Sequence, residues 1–215
     1  MAFSTRNGEM LWKQPRKVQV GWSTPLLFQS QLITTSSEAT IAYDPRTGKE
    51  LWRGPGVANT SVPSLVAGHG LVFVSAGYPQ KKIIALKTGA GAGQVAWQYD
   101  KGPGYVPSPI LYGDYLYVIS DRGLITCFDA RTGKVAYEGG RPPVPATFSS
   151  SPVAFNGKLF ITSEDADTYV IQAGPEHKVL RTNALGEPVF ASIAIGDGAL
   201  FLRGARNLYC IRASQ

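Results

Sequence analysis

The chain has little of what most catalytic and membrane-spanning classes need. Among 215 residues there are two cysteines, two histidines and two methionines. No Cys-x-x-Cys or Cys/His spacing of a zinc site occurs, and no Gly-x-Ser-x-Gly elbow of a serine hydrolase is present. No apolar stretch approaches the ~20 residues of a membrane-spanning helix. Charged residues make up only 17%, without a block of one sign. Lys13, Arg16 and Lys17 come nearest to a cluster, with Lys81-Lys82 elsewhere. A nucleic-acid protein would carry a basic stripe with interleaved aromatics, so the net charge of +6 reads as solubility and as attraction to an acidic partner. The opening residues Met1 to Gly8 lack the apolar core of a secretory signal. The expectation is a chain that is either not exported or the later part of a longer one.

What is present is glycine (24), proline (15) and a turn that returns at near-constant spacing. Asp44-Pro45-Arg46-Thr47-Gly48-Lys49 leads to Trp52, and Asp129-Ala130-Arg131-Thr132-Gly133-Lys134 leads to Tyr137. Weaker copies lead to Trp12, Trp97 and Leu180, so the large residues step by 40, 45, 40 and 43. A second landmark, Thr24-Pro25, Ser108-Pro109 or Ser151-Pro152, with Val62-Pro63-Ser64 and Ser192-Ile193 in matching places, steps by 39, 45, 43 and 41. A fixed period of ~40–50 residues marks one structural unit repeated. Between landmarks each unit holds short apolar, β-branched and aromatic runs such as Leu116-Tyr117-Val118-Ile119 and Ile125-Thr126-Cys127-Phe128, which are strand signals. Four antiparallel strands per unit, with no helix signal, predict an all-β protein of four-stranded propeller blades. Cys127 and Cys210 fall at equivalent points of two units, too distant for a disulfide, which needs Cα atoms within ~7 Å. Both are expected as small buried apolar residues.

The run Ser-Pro, a Leu-Tyr-Val-like strand, then Asp-x-x-Thr-Gly-Lys-x-x-Trp, clearest at Thr24 to Trp52 and Ser108 to Tyr137, resembles the PQQ-like β-propeller repeat. That superfamily includes quinoprotein alcohol dehydrogenases and a propeller lipoprotein of the outer-membrane β-barrel assembly machinery. The resemblance runs from Asn7 to Ala213 as one propeller domain or segment over 1–215, with units at about 24–54, 62–100, 107–139, 150–182 and 190–213. A bare fourth strand at 9–13 precedes them, and the last unit lacks one. The strands amount to about five blades, read either as part of a larger propeller or as a closed five-blade ring completed by the N-terminal strand. WD40-type propellers share the period but end their third strands in Trp-Asp, which this chain does not.

The resemblance implies a non-enzymatic binding or scaffolding module, bacterial and periplasmic or extracellular, with a protein or small-molecule partner and no cofactor. The alternative it leaves open is a fragment of a PQQ-dependent dehydrogenase, with PQQ and calcium, whose catalytic residues lie outside this chain. The adjacent cysteine pair common in that group is absent, and every tryptophan but Trp22 occupies the repeated fourth-strand position. Trp22 reads as a stacking residue or an ordinary loop aromatic. Glu164-Asp165-Ala166-Asp167 has oxygen ligands at alternating positions but lacks the glycine and distant glutamate of a calcium loop, and reads as a solvated hairpin tip. His69 and His177 read as surface turn residues. Gly89 to Gly93 reads as a lengthened hairpin, since no helix follows to build a phosphate site.

On propeller logic, the loops between second and third strands share one rim with the links between units. Arg16, Lys17, Lys81, Lys82, Lys101, Arg122, Arg141, Arg203 and Arg206 fall there, against Glu38, Asp121, Glu164, Asp165, Asp167 and Glu187. Tyr78, Tyr105 and Phe148 are the expected aromatic anchors, since arginine with aromatics is a common hot-spot composition. The candidate partner-binding set is therefore Trp22, Tyr78, Lys81, Lys82, Tyr105, Arg122, Arg141, Phe148, Arg203 and Arg206, read against a plain solvated rim. Self-association is a further expectation for an incomplete propeller, whose sheet edges stay open.

Overall fold

The computed structural model describes residues 1–16, 18, 21–57 and 61–212. The chain divides into two compact units, Met1–Lys101 and Gly102–Gln215. All regular structure among the described residues is antiparallel β.

The first unit opens with a hairpin of β1 (Ala2–Phe3) and β2 (Met10–Trp12). Two four-stranded sheets follow. One holds β3 (Leu26–Phe28), β4 (Gln31–Thr35), β5 (Ala39–Tyr43) and β6 (Glu50–Pro55); the other holds β7 (Val66–Gly68), β8 (Leu71–Ala76), β9 (Lys82–Lys87) and β10 (Val95–Tyr99). The second unit repeats the plan with β11 (Ile110–Tyr112), β12 (Tyr115–Ile119), β13 (Ile125–Asp129) and β14 (Val135–Gly140). It continues with β15 (Val153–Phe155), β16 (Lys158–Thr162), β17 (Asp167–Gln172) and β18 (Val179–Ala184), and then a three-stranded sheet of β19 (Ala194–Gly196), β20 (Ala199–Arg203) and β21 (Leu208–Arg212). In every sheet the strands pair in sequence order, the pattern of propeller blades. The structure pairs β2 with β1, because the turn Ser4 to Glu9 folds Phe3 back opposite Met10.

Burial follows from strand rank. The middle strands β8, β9, β12, β13, β16 and β17 are buried almost throughout, which is why they read as continuous apolar runs rather than alternating ones. Fourth strands alternate or lie exposed.

The Asp-x-x-Thr-Gly turn explains itself. The Asp44 carboxylate accepts the Arg46 N–H at 2.8 Å, and the Thr47 hydroxyl accepts the Lys49 N–H. Asp129 does the same for Arg131 and Thr132, and the Thr132 hydroxyl bond is the main reason its carboxyl sits below the usual range. Gly48 has φ +72°, which disfavours side chains, and a Cβ there would lie 2.6 Å from the Trp12 ring. Trp12 also donates its indole N–H to the Pro45 carbonyl at 3.0 Å. Trp52 lies likewise against Gly93 of the following blade's turn. Trp12 and Trp52 are thus each seated on the next blade's turn. A register shift follows each such turn, as at Ala42/Tyr43 and Val95/Trp97.

Candidate functional site

The candidate residues fall in both units. In the first, Trp22 is 55% exposed and donates its backbone N–H to the Ser61 carbonyl. Tyr78, 62% exposed, and Lys81 lie on the loop between β8 and β9, and Lys82 opens β9 opposite Ala76. Lys17 lies outside the described residues. Sequence reasoning missed a polar cleft of about 280 Å³ in this unit, where Arg16 donates to the Thr34 hydroxyl and Arg53 forks onto Glu50 at 3.0 and 2.7 Å.

In the second unit the rim is built by stapling each entry segment to a loop between second and third strands. The Asp121 carboxylate accepts the Tyr105 N–H at 2.8 and 3.0 Å and the Val106 N–H at 3.2 Å. Glu164 accepts the Ser149 hydroxyl at 2.5 Å. Glu187, which the sequence places on a solvated rim, is buried instead. It accepts the backbone N–H groups of Arg206 and Asn207 and the Asn207 amide, at 2.8 to 3.2 Å. Its carboxyl is lowered to about 2, first by the Tyr209 hydroxyl and then by these donors, against the opposing effect of burial. Backbone bonds run parallel to these staples, from the Phe148 N–H to the Asp121 carbonyl and from the Val189 N–H to the Glu164 carbonyl.

Three of the expected rim carboxylates are therefore spent on holding loops. Arg122, Arg141, Arg203 and Arg206 stay exposed, Arg206 with an ion pair to Glu187 at 3.6 Å and Arg203 bonded to the Gly204 carbonyl. Tyr105 is half-buried. Phe148 is corrected outright: at 2% exposure it is a core residue, 6.2 Å from the Tyr169 ring, not a surface anchor. Gly123 makes room for it; a Cβ there would meet the Phe148 ring at 2.5 Å, and φ is +74°.

His177 is likewise not a plain surface residue. The degenerate turn after β17 places its ring edge-on to Tyr137, centroids 5.5 Å apart, with Nε2 buried and without a hydrogen-bond partner. His69 sits in the turn between β7 and β8, half-buried, with φ +56°. Cys127 is buried, its thiol pushed up to about 12 by burial, but Cys210 is exposed because β21 is uncovered, contrary to the expectation for both.

Among the described residues no three His, Cys, Asp or Glu side chains converge to hold a metal ion. Within the acidic run, Glu164 is taken by Ser149 and Asp167 by the Tyr169 hydroxyl. Among the described residues, no helix is long and apolar enough to cross a membrane.

Comparison with known proteins agrees with this architecture. The curated outer membrane protein assembly factor BamB of Burkholderia pseudomallei is 28% identical over 148 residues, covering 61% of this chain and 38% of that protein. The crystal structure of BamB from Moraxella catarrhalis superposes with a TM-score of 0.72 at 12% identity, over 94% of this chain and 62% of that one. The computationally designed Ika8 protein gives 0.64 at 12% identity, over 86% of this chain and 58% of that one. The chain thus spans well under half the length of the curated relative. The family model described as outer membrane protein assembly factor BamB matches residues 1–143, and with the propeller blades and the Asp-x-x-Thr-Gly plug turns, the chain belongs to that PQQ-like repeat family.

Proposed function

We propose that this chain is a non-enzymatic docking module of a bacterial periplasmic protein that acts in outer-membrane-protein assembly. The observation that carries the reading is membership of the assembly-factor family over 1–143. The rim supports it. Carboxylates Asp121, Glu164 and Glu187 are committed to internal hydrogen bonds, whereas Arg122, Arg141, Arg203 and Arg206 are presented to solvent. Such a rim suits a protein partner with acidic side chains, since complementary charge speeds encounter and fixes orientation. Tyr78 and Trp22 are the apolar anchors that the first unit offers.

The test is restoration in cells. The chain, exported to the periplasm of a Burkholderia strain lacking its own assembly factor, is expected to restore part of the outer-membrane-protein content. Arg122→Glu/Arg206→Glu is expected to lose that restoration while staying folded. A folded chain at normal level that restores nothing overturns the reading. So does substrate-dependent dye reduction on adding PQQ and calcium, which only the dehydrogenase alternative predicts.

A further inference from the structure

The links between sheets keep a register of their own. The second landmark stands at 25, 64, 109, 152 and 193. Four places before it the link turns inward: Phe148 and Val189 are buried, and each bonds its N–H to the preceding loop. Three places before it stand Trp22, Ser61, Val106, Ser149 and Phe190. Where that residue is large it faces water, with Trp22 55%, Val106 38% and Phe190 59% exposed. Where it is Ser149 it is tied in, its hydroxyl donated to Glu164. Val106, in the middle of the chain, shows that the alternation of the link sets this exposure. Large apolar side chains held in water at one repeated position mark an interaction surface.

In the second unit each outward apolar residue is fixed beside a loop that carries an exposed arginine. Val106 donates its N–H to the Asp121 carboxylate at 3.2 Å, and Arg122 is the next residue of that loop. Phe190 follows Val189, whose N–H bonds the Glu164 carbonyl at 3.2 Å. Pro188 on the same link accepts the Ala205 N–H at 2.9 Å, which sets the link against the loop carrying Arg206. The Arg206 side chain pairs with Glu187 at 3.6 Å yet stays 81% exposed. An apolar side chain beside a guanidinium is a common hot-spot composition, and here it occurs twice. Backbone that is already bonded loses little further freedom when a partner docks. Asp121 and Glu187 are occupied by backbone N–H groups, so the charge offered to solvent at both points is positive.

We propose that Val106 with Arg122, and Phe190 with Arg206, are two docking points for an extended partner segment whose large apolar side chains stand next to carboxylates. Each apolar residue packs on a side chain of the segment, and each guanidinium takes a neighbouring carboxylate by charge-assisted hydrogen bonds. The segment is extended because the two points lie on separate links, with the link of Ser149 between them. A basic segment meets like charge at both arginines, and an acidic segment without apolar side chains leaves Val106 and Phe190 in water. This deepens the docking reading of the rim and rests on it, but not on the assembly role.

The probe is a fluorescein-labelled peptide with two Glu-Phe-Glu triplets joined by a Gly-Ser linker. Its anisotropy is followed as the full chain is titrated in. Two control peptides carry Lys-Phe-Lys or Glu-Ala-Glu triplets. The Glu-Phe-Glu peptide is expected to bind at least about tenfold tighter than either control, the scale of one hot-spot contact. Val106→Ser/Phe190→Ser is expected to weaken it by a similar factor while keeping the salt dependence. Serine already stands at this position in Ser61 and Ser149, so the fold accommodates it. Arg122→Gln/Arg206→Gln is expected to weaken binding and to flatten its dependence on salt. Absence of saturable binding, equal binding of the three peptides, or a folded double variant that binds like the wild type overturns the proposal. The three-peptide comparison uses the unsubstituted chain, so a variant that unfolds leaves the test standing. Restoration in cells and peptide binding are read separately, so failure of the assembly role is distinguishable from failure of this site.

Discussion

Two junctions between neighbouring sheets of the second unit differ in how they are filled. Where β11–β14 meets β15–β18, aromatics close the gap. Tyr137 meets His177, Phe148 lies against Tyr169, and the Tyr117 hydroxyl accepts the Gly174 N–H at 2.7 Å. Where β15–β18 meets β19–β21, an apolar cavity of about 260 Å³ remains, lined by Phe160, Ile193, Leu200 and Leu202 among others. The difference traces to one position per repeat. Strand β18 sets Arg181 where β14 sets Tyr137, and a guanidinium stays in water rather than plug an apolar gap. The second junction still holds a small core of Phe160, Val170, Ile193 and Leu202, but without an aromatic plug from the fourth strand.

The comparison breaks most visibly at Phe148. Phe148→Ala removes a buried ring from the closed junction and is expected to cost about 3–5 kcal/mol in urea unfolding. Phe190→Ala, at an exposed site before β19, is expected to stay within about 0.5 kcal/mol. Equal losses would mean that the two junctions are equally packed. Tyr117→Phe is expected to cost about 1–3 kcal/mol, because the Gly174 N–H loses its acceptor. In the open junction the sign reverses. Ala184→Leu, at the cavity wall, is expected to stabilise by about 0.5–2 kcal/mol as a cavity-filling change. A loss there would show that the space closes in solution.

The blades were legible because two landmarks carry the period independently: the Asp-x-x-Thr-Gly turn and the Ser/Thr-Pro step. Phe148 was misread because it lies in the proline-rich link Pro142 to Pro145 onward, and such links read as surface. A signal was available. Phe148 precedes its landmark Pro152 by four residues, as Val189 precedes Ile193, and both are buried with their N–H groups bonded to the preceding loop. Aligning the links as well as the strands would have found it. Glu187 could not be found that way, since its donors, the Arg206 and Asn207 N–H groups, come from a loop nineteen and twenty positions on. Cys210 was misread because the repeat fixes strand rank, whereas burial depends on the neighbour beyond.

The two junctions should also separate on acidification. Glu187 links the segment after β18 to the loop before β21 and titrates at about 2, against ~4.3 for an unperturbed glutamate. Its folded value is depressed, so its stabilisation is present above ~4.3 and is lost as pH falls toward about 2. Glu187→Gln is expected to flatten the melting temperature over that window. His177, in the closed junction, has its value lowered by burial alone. Its neutral form is favoured in the fold, so the unfolded chain binds the proton first, and stability declines as pH falls below the ~6.5 of free histidine. The wild type should therefore lose a small increment of melting temperature as pH falls below about 6.5. His177→Phe, which keeps a ring against Tyr137 without a titrating nitrogen, should not. If both lose it equally, the Tyr137 junction is not where the first acid-labile contact lies, and the buried Nε2 finds a partner in solution.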